Sequence, residues 1–154
     1  MNLDCDGRTY LLRLVSYKIY LHKLIFDIMS QLGVHNYINL ETYKKDGRPV
    51  RTPVWFVQDN NGIVYIRTAK NSGKVKRVRN NPHVRIVPCD IRGRPKGEWL
   101  DGTVGIISEA EVQKINKLIR QKYGFRTKIF GIMYKLRNIE FIIVSIIITG
   151  QASR

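Results

Sequence analysis

With 154 residues, 44% of them hydrophobic and 10% aromatic, the chain has the size of one domain and enough apolar material for a real core, which excludes a disordered or low-complexity protein. Its 27 Lys and Arg against 12 Asp and Glu give a net charge of +15, so the partner is expected to be anionic: nucleic acid, a membrane surface or a phosphorylated small molecule. Cys5 and Cys89 are far apart, form no CxxC pair and have no histidine nearby, and His22, His35 and His83 are scattered singly, so no metal site is expected and a reduced, cytoplasmic setting is the default.

Residues 1–20 read as an uncertain extension. Cys5, Asp6 and Gly7 suggest a frayed start, and Tyr10 to Tyr20 either an upstream turn or an extension of the helix that follows. From Leu21 the apolar residues fall at 21, 24, 25, 28, 29 and 32, a helical stripe ending at Gly33 that is expected to pack on a sheet. Arg13, Lys18, His22 and Lys23 interrupt residues 8–29, and the longest apolar run, Phe141 to Ile148, is too short for a spanning helix, so neither a signal peptide nor a membrane partner is expected.

Residues 37–43, YINLETY, alternate as a strand and turn through Lys44 to Gly47 into a second strand, PVRTPVWFV at 49–57. Pro49 and Pro53 cannot donate to a ladder, so this strand is expected at an edge or bulge with part of its backbone unpaired. Asn60, Asn61 and Gly62 turn into a third strand at 63–68, and residues 83–90 and 98–107 read as two more, joined by a Gly- and Arg-rich loop at 91–97. Five strands with short turns suggest a small barrel.

Between the third and fourth strands lies TAKNSGKVKRVRNNP, Thr68 to Pro82, which predicts a helix of about two turns, with Ser72 as N-cap and Asn80, Asn81 and Pro82 as the stop. Val75 and Val78 are three apart and can share a buried face, leaving Lys74, Lys76, Arg77 and Arg79 to point elsewhere. A lysine in the first turn opposes the helix dipole unless an anion sits on the exposed N–H groups, where Gly73 leaves the backbone open and Ser72 and Lys74 can donate. Spacing alone leaves a solvated basic helix equally open. The charge bias favours the anion seat: residues 67–96 hold ten Lys or Arg and one acid, Asp90.

Ser108 with Glu111 forms a capping box for a helix whose stripe of Val112, Ile115, Leu118 and Ile119 runs to Gly124. Residues 125–137 read as a partly helical connector. IEFIIVSIII at 139–148 reads as a strand buried on both faces, expected to close the barrel or lie at a subunit interface.

No nucleophile has a base beside it, and there is no carboxylate pair or Walker or dinucleotide glycine pattern, so no catalytic side chain is assigned. A phosphate seat beside the Pro-interrupted strand, with its large aromatic Trp55, suits a planar phosphorylated cofactor.

GRPVRTPVWFV, IVYIRT, NSGKVKRVRNNPHVRIVPCD and GRPKGEWLDGT, spread over Tyr37 to Gly105, resemble the pyridoxamine 5′-phosphate oxidase-like split-barrel family, and within it the branch that depends on the 8-hydroxy-5-deazaflavin coenzyme F(420). The resemblance implies a mainly β fold, a six-stranded antiparallel split β-barrel with flanking helices over residues 21–154, and a homodimer holding flavin mononucleotide (FMN) or the deazaflavin at its interface. It implies that Arg51, Thr52, Pro53, Val54 and Trp55 run along the ring edge, followed by Arg67 and Thr68. Ser72 and Lys74 take the phosphate, helped by Gly73 and Lys76, and Glu98 and Trp99 come from the other subunit. The tail after Ile148, TGQASR, lacks the Trp and Arg pattern of the oxidase proper, so vitamin B6 synthesis is not expected. Family members begin near Met29 or slightly upstream, which leaves a later start open.

Trp55 and Trp99 as core aromatics remain comparable with cofactor contact. Arg92, Arg94 and Lys96 form either a solvated loop or contacts to the acidic tail that the deazaflavin carries and FMN lacks. The expected function is an oxidoreductase that exchanges hydride between bound flavin or deazaflavin and a small-molecule substrate. A cofactor carrier is the first alternative. A basic nucleic-acid-binding barrel is disfavoured, because the aromatics sit among apolar neighbours.

Overall fold

The computed structural model describes residues 7–151, without the side chains of residues 7–11, 21, 22, 24, 25, 28, 29, 106, 130 and 151. In chain order the elements are α1 (Gly7–Gly33), β1 (Tyr37–Tyr43), β2 (Pro49–Gln58), β3 (Val64–Ala69), α2 (Gly73–Asn80), β4 (His83–Cys89), β5 (Leu100–Ile106), α3 (Glu109–Tyr123), α4 (Arg126–Leu136) and β6 (Phe141–Gln151). The six strands close into an antiparallel barrel in the order β1-β2-β3-β6-β5-β4, with β4 returning to β1.

The alternation that marks each strand fills the barrel. Ile38 and Leu40 of β1, Phe56 of β2, Val64 and Ile66 of β3, Val84 and Ile86 of β4, Leu100 of β5 and Val144 and Ile146 of β6 form one buried cluster, joined by Leu32 from the end of α1 and Val78 from α2. A second cluster lies outside the barrel wall, where Ile115, Ile119 and Tyr123 of α3 cover Val57, Tyr65 and Ile143. The predicted stripe of α3 is therefore its buried face.

β6 closes the barrel as expected, pairing with β3 along residues 141–146 and with β5 along residues 144–151. Closure needs Gly102, since a Cβ there would come within 2.8 Å of Ile146 Cγ2 and 3.0 Å of the Ile147 carbonyl oxygen. Both of its edges are paired, but it is not buried on both faces throughout: Ile147 faces outward and is 54% exposed.

At the chain start the structure favours the extended helix, since α1 begins at Gly7 and runs unbroken to Gly33. Of its predicted stripe only Leu32 has a described side chain, and it is fully buried in the barrel cluster, while Gln31 Nε2 donates to the Glu98 carbonyl. Leu12, Leu14, Tyr17 and Phe26 are exposed, and Cys5 lies outside the described residues. Among the described residues no helix is long and apolar enough to cross a membrane, and no His, Cys, Asp or Glu cluster could hold a metal ion.

The barrel is split at one seam. β2 pairs with β1 from Pro49 to Trp55 but with β3 only from Phe56 to Gln58, opposite Val64 to Ile66. Beyond that point β3 continues against β6 through Arg67, Thr68 and Ala69, and β2 runs on without it. The prolines make this tolerable: Pro53 has no N–H to leave unsatisfied where the ladder ends.

Candidate functional site

A cleft of about 330 Å³ opens in that seam. Pro53, Val54 and Trp55 line it from β2, and Arg67, Thr68 and Ala69 from the stretch of β3 that β2 has left. Lys74 enters from α2, and Ile119, Tyr123, Thr127, Gly131 and Tyr134 form the side made by α3 and α4, with Phe141 at the start of β6.

The aromatic side chains fix one another. Trp55 stacks on Tyr123 with ring centroids 4.5 Å apart and planes 7° apart. Tyr123 is held in turn by its hydroxyl, which accepts from the Phe56 N–H at 2.9 Å and donates to the carbonyl oxygens of Phe56 at 2.7 Å or Asn36 at 2.8 Å. Burial pushes its phenol far above the usual range, so it remains a neutral donor. Across the cleft the Arg67 guanidinium lies 4.4 Å from the Phe141 ring centroid, and Tyr134 meets Phe141 edge-on at 4.7 Å.

Strand alternation sets the polar edge. Thr52, Val54 and Phe56 turn their backbone groups to the β1 side, where the Tyr123 hydroxyl fits between Phe56 and the Asn36 carbonyl at the end of the ladder, so Arg51, Pro53 and Trp55 turn theirs the other way, towards the open seam. These backbone groups can meet the rim of a planar heterocycle.

The α2 end is polar and positive. Ser72 has the extended backbone of an N-cap, yet its hydroxyl does not cap the helix as expected; it lies 3.4 Å from Thr68 Oγ1. Lys74 Nζ donates to that same Thr68 oxygen at 3.2 Å. By helix geometry the N–H groups of Gly73, Lys74 and Val75 have no acceptor within α2, and no acid stands in its first turn. Val75 and Val78 are buried as predicted. Burial, and then the neighbouring Arg77, lower the pKa of Lys74.

Arg77 does not point away as expected. Its Nε donates to Thr42 Oγ1 at 2.7 Å, and its Nη1 lies 3.0 Å from where a Cβ on residue 73 would be, so Gly73 makes the room for Arg77 to fold back over the helix start. The i, i+4 spacing of Gly73 and Arg77 was the available signal.

Of the residues assigned to the cofactor from sequence, Pro53, Val54, Trp55, Arg67, Thr68 and Lys74 line this cleft, and Ser72 and Gly73 adjoin it through Thr68 and Lys74. Arg51, Thr52, Lys76 and Trp99 do not line it. Lys76 is exposed on α2. Arg51 sits opposite Glu41 in the β1–β2 ladder, its Nε 2.7 Å from Glu41 Oε2 and its guanidinium 4.9 Å from the Trp99 ring centroid, which also carries Arg85 at 5.3 Å. Glu41 is buried between these two arginines and accepts from Tyr43 at 2.9 Å; despite its burial, Arg51, Tyr43 and Arg85 hold its carboxyl below the ordinary value. Arg51 and Trp99 thus complete a charge cluster on the barrel's outer surface.

The loop carrying Arg92, Arg94 and Lys96 folds onto the same outer face, where Asn39 Nδ2 donates to the Gly93 carbonyl at 2.6 Å. Asp90 accepts from the Arg92 and Arg94 backbones and from Arg94 Nε, so the loop is self-braced and none of its three cations lines the cleft. Sequence reasoning missed Tyr123, Tyr134 and Phe141, which are ordinary core residues by spacing and reach the cleft only through the packing of α3 and α4.

A family model for pyridoxamine 5′-phosphate oxidase matches residues 28–136, well over half of the chain. No curated protein matches its sequence. Among solved structures, a Listeria innocua protein bearing the pyridoxamine 5′-phosphate oxidase name aligns with a TM-score of 0.60 at 19% identity, over 84% of this chain and 96% of that one. A conserved hypothetical protein from Mycobacterium tuberculosis gives a TM-score of 0.61 at 19% identity, over 81% and 80%. HutZ, the heme storage protein of Vibrio cholerae, gives a TM-score of 0.58 at 17% identity, over 83% and 94%. At these identities the likeness is one of fold.

Proposed function

The chain belongs to the pyridoxamine 5′-phosphate oxidase family, and from that premise and the cleft in the barrel's seam we propose that it is an oxidoreductase that binds FMN or a deazaflavin and passes hydride between that ring and a small substrate. The observation that carries this is the conjunction of an aromatic-walled slot, a strand edge with backbone groups turned into it, and a basic helix start with uncapped N–H groups at one end.

The fit to such a group is specific. Gly73, Lys74, Ser72 and Arg77 would hold the phosphate, Lys74 and Arg77 supplying charge and the α2 start supplying N–H donors. The backbone of Pro53 and Trp55 would orient the ring edge, and the Trp55 ring, braced by Tyr123, would fix its plane. When bound, the ring supplies the hydride chemistry. The described residues that line the cleft include no carboxylate, histidine or cysteine, so the protein's share is binding, orientation and exclusion of water. The same composition supports a second possibility, a cofactor carrier.

A homodimer belongs to this proposal. Its support lies in α4, whose Ile129, Ile132 and Leu136 are 57%, 65% and 83% exposed beside the cleft-lining Thr127, Gly131 and Tyr134. A dimeric mass in solution is expected, and a monomeric mass at micromolar concentration would contradict it.

Titration of purified protein with FMN and with the deazaflavin, read by ring fluorescence, tests the central point. Saturable binding of at least one in the micromolar range is expected, and failure of both refutes the proposal. If the reduced, bound cofactor is then reoxidised by quinones or enones no faster than the free one, the protein is a carrier and the oxidoreductase proposal fails.

A further inference from the structure

Beside the seam cleft lies a second one of about 270 Å³, lined by Arg67, Asn116, Ile119, Arg120, Thr127 and Lys128. The two are continuous, since Arg67, Ile119 and Thr127 line both. Lys74 belongs only to the first, and Arg120 and Lys128 only to the second. Three elements thus bring three cations to one concavity: Arg67 from β3, Arg120 from α3 and Lys128 from the first turn of α4.

We propose that Arg67, Arg120 and Lys128 form a second anion seat, which takes a carboxylate or phosphate group lying beside whatever fills the seam cleft.

Five basic side chains elsewhere are neutralised within the chain: Arg48 pairs with Asp46, Arg51 and Arg85 with Glu41, Lys70 with Glu140 and Arg94 with Asp90. Among the described residues none of these three cations makes an ion pair, and no acid lines the cleft with them. Like charges that line one cleft without a counter-charge give it a positive field, which favours a bound oxyanion. Arg67 is held in place by stacking on Phe141, which fixes its position and leaves its charge uncompensated. The Asn116 amide adds neutral donors, while Thr127 already donates its proton to the Gly124 carbonyl at 2.7 Å. α4 brings no acid in its first turn to oppose an incoming anion.

The negative group could come from two sources: an acidic tail on the cofactor, or a separate anionic substrate placed against the ring. The inference rests on the proposed cofactor for the identity of the first cleft's occupant. The charge preference of the second cleft stands without it.

The test compares Arg120→Ala/Lys128→Ala with a charge-matched control, Lys44→Ala/Lys45→Ala, in the exposed β1–β2 turn. Calorimetric titration of the cofactor-free proteins with pyrophosphate and with glutarate should show binding weakened by about tenfold or more in the cleft variant and little changed in the control, as expected for lost charge-assisted hydrogen bonds. If deazaflavin affinity falls in the cleft variant while FMN affinity holds, the tail is the occupant. If both cofactor affinities hold while KM for anionic acceptors rises and that for neutral ones does not, the substrate is. Failure of every cofactor to bind would defeat the cofactor proposal and leave the seat to be judged on the pyrophosphate and glutarate titrations. Equal behaviour of the two double variants in those titrations and with every ligand that binds would overturn the seat.

Discussion

Two helices of this protein begin with the same backbone and opposite chemistry. Ser72 before α2 and Ser108 before α3 have nearly identical extended conformations, φ and ψ of −67° and 153° against −71° and 158°. At α3 the Glu111 carboxylate accepts from the Ser108 N–H and hydroxyl at 3.0 and 2.9 Å, and Glu109 adds a second negative charge to the first turn. At α2 the serine hydroxyl turns away to Thr68, the first turn carries Lys74, and Arg77 folds back over Gly73. Each arrangement meets the positive end of a helix dipole. One neutralises it from within the chain, while the other adds to it, which is why we propose that an anion from outside sits there.

The difference generalises to the basic side chains, and the largest expected effect tests that extension. Arg51 is already satisfied by the buried Glu41, so its role should be structural. Arg51→Ala is expected to cost about 2–3 kcal/mol of stability, because it strips a buried carboxylate of its closest partner, and to leave cofactor affinity nearly unchanged. Since the carboxyl of Glu41 is held below its ordinary value of 4.5 in the folded protein, that stabilisation is fully present above pH 4.5 and is lost as pH falls through the folded value. Denaturant unfolding of wild type and variant at neutral pH and below pH 4.5 should therefore show the gap closing on the acid side. A large loss of affinity with no loss of stability would place Arg51 with the ligand-facing cations instead.

Ser108→Ala should cost roughly 1 kcal/mol as a lost N-cap, seen as a lower Tm with cofactor binding intact. A smaller effect carries the opposite sign: without cofactor, Lys74→Ala relieves a cation at a helix start and should raise stability by about 0.3–1 kcal/mol. A drop in cofactor-free stability there would mean that the Lys74 to Thr68 hydrogen bond outweighs the repulsion, and that the helix start is satisfied internally after all.

Much of this architecture was legible in the sequence, for local reasons. The bounds of β1 and α2 follow from period and turn chemistry, and Pro53 announced a strand with part of its backbone unpaired. α3 declared its start through Ser108 and Glu111. What was hidden depends on closure. That β2 parts from β3 at Phe56, which creates the seam, is a matter of register across a turn. Arg51 and Arg85 meet both Glu41 and Trp99 because neighbouring strands place them there, and residue spacing carries no trace of it. Tyr123 and Tyr134 read as core until α3 and α4 fold against the seam. Arg120 and Lys128 lie eight positions apart on different helices, and only the bend at Gly124 brings them to one cleft.

The central claim, that the start of α2 is a geometric seat for an anion and not one part of a basic surface, is tested most directly by FMN or deazaflavin affinity in Lys74→Ala and Arg79→Ala, whichever ring binds wild type, with thermal unfolding as a check on folding. Both remove one positive charge from the same helix, Lys74 from its first turn and Arg79 from its last. Lys74→Ala is predicted to weaken binding about ten- to a hundredfold, the loss of a charge-assisted hydrogen bond, and to keep most of that deficit at several-fold higher salt. Arg79→Ala should change affinity little, and that little should vanish with salt, since its field is screened over about 8–10 Å. Equal losses from the two substitutions, fading together as salt rises, would contradict the seat.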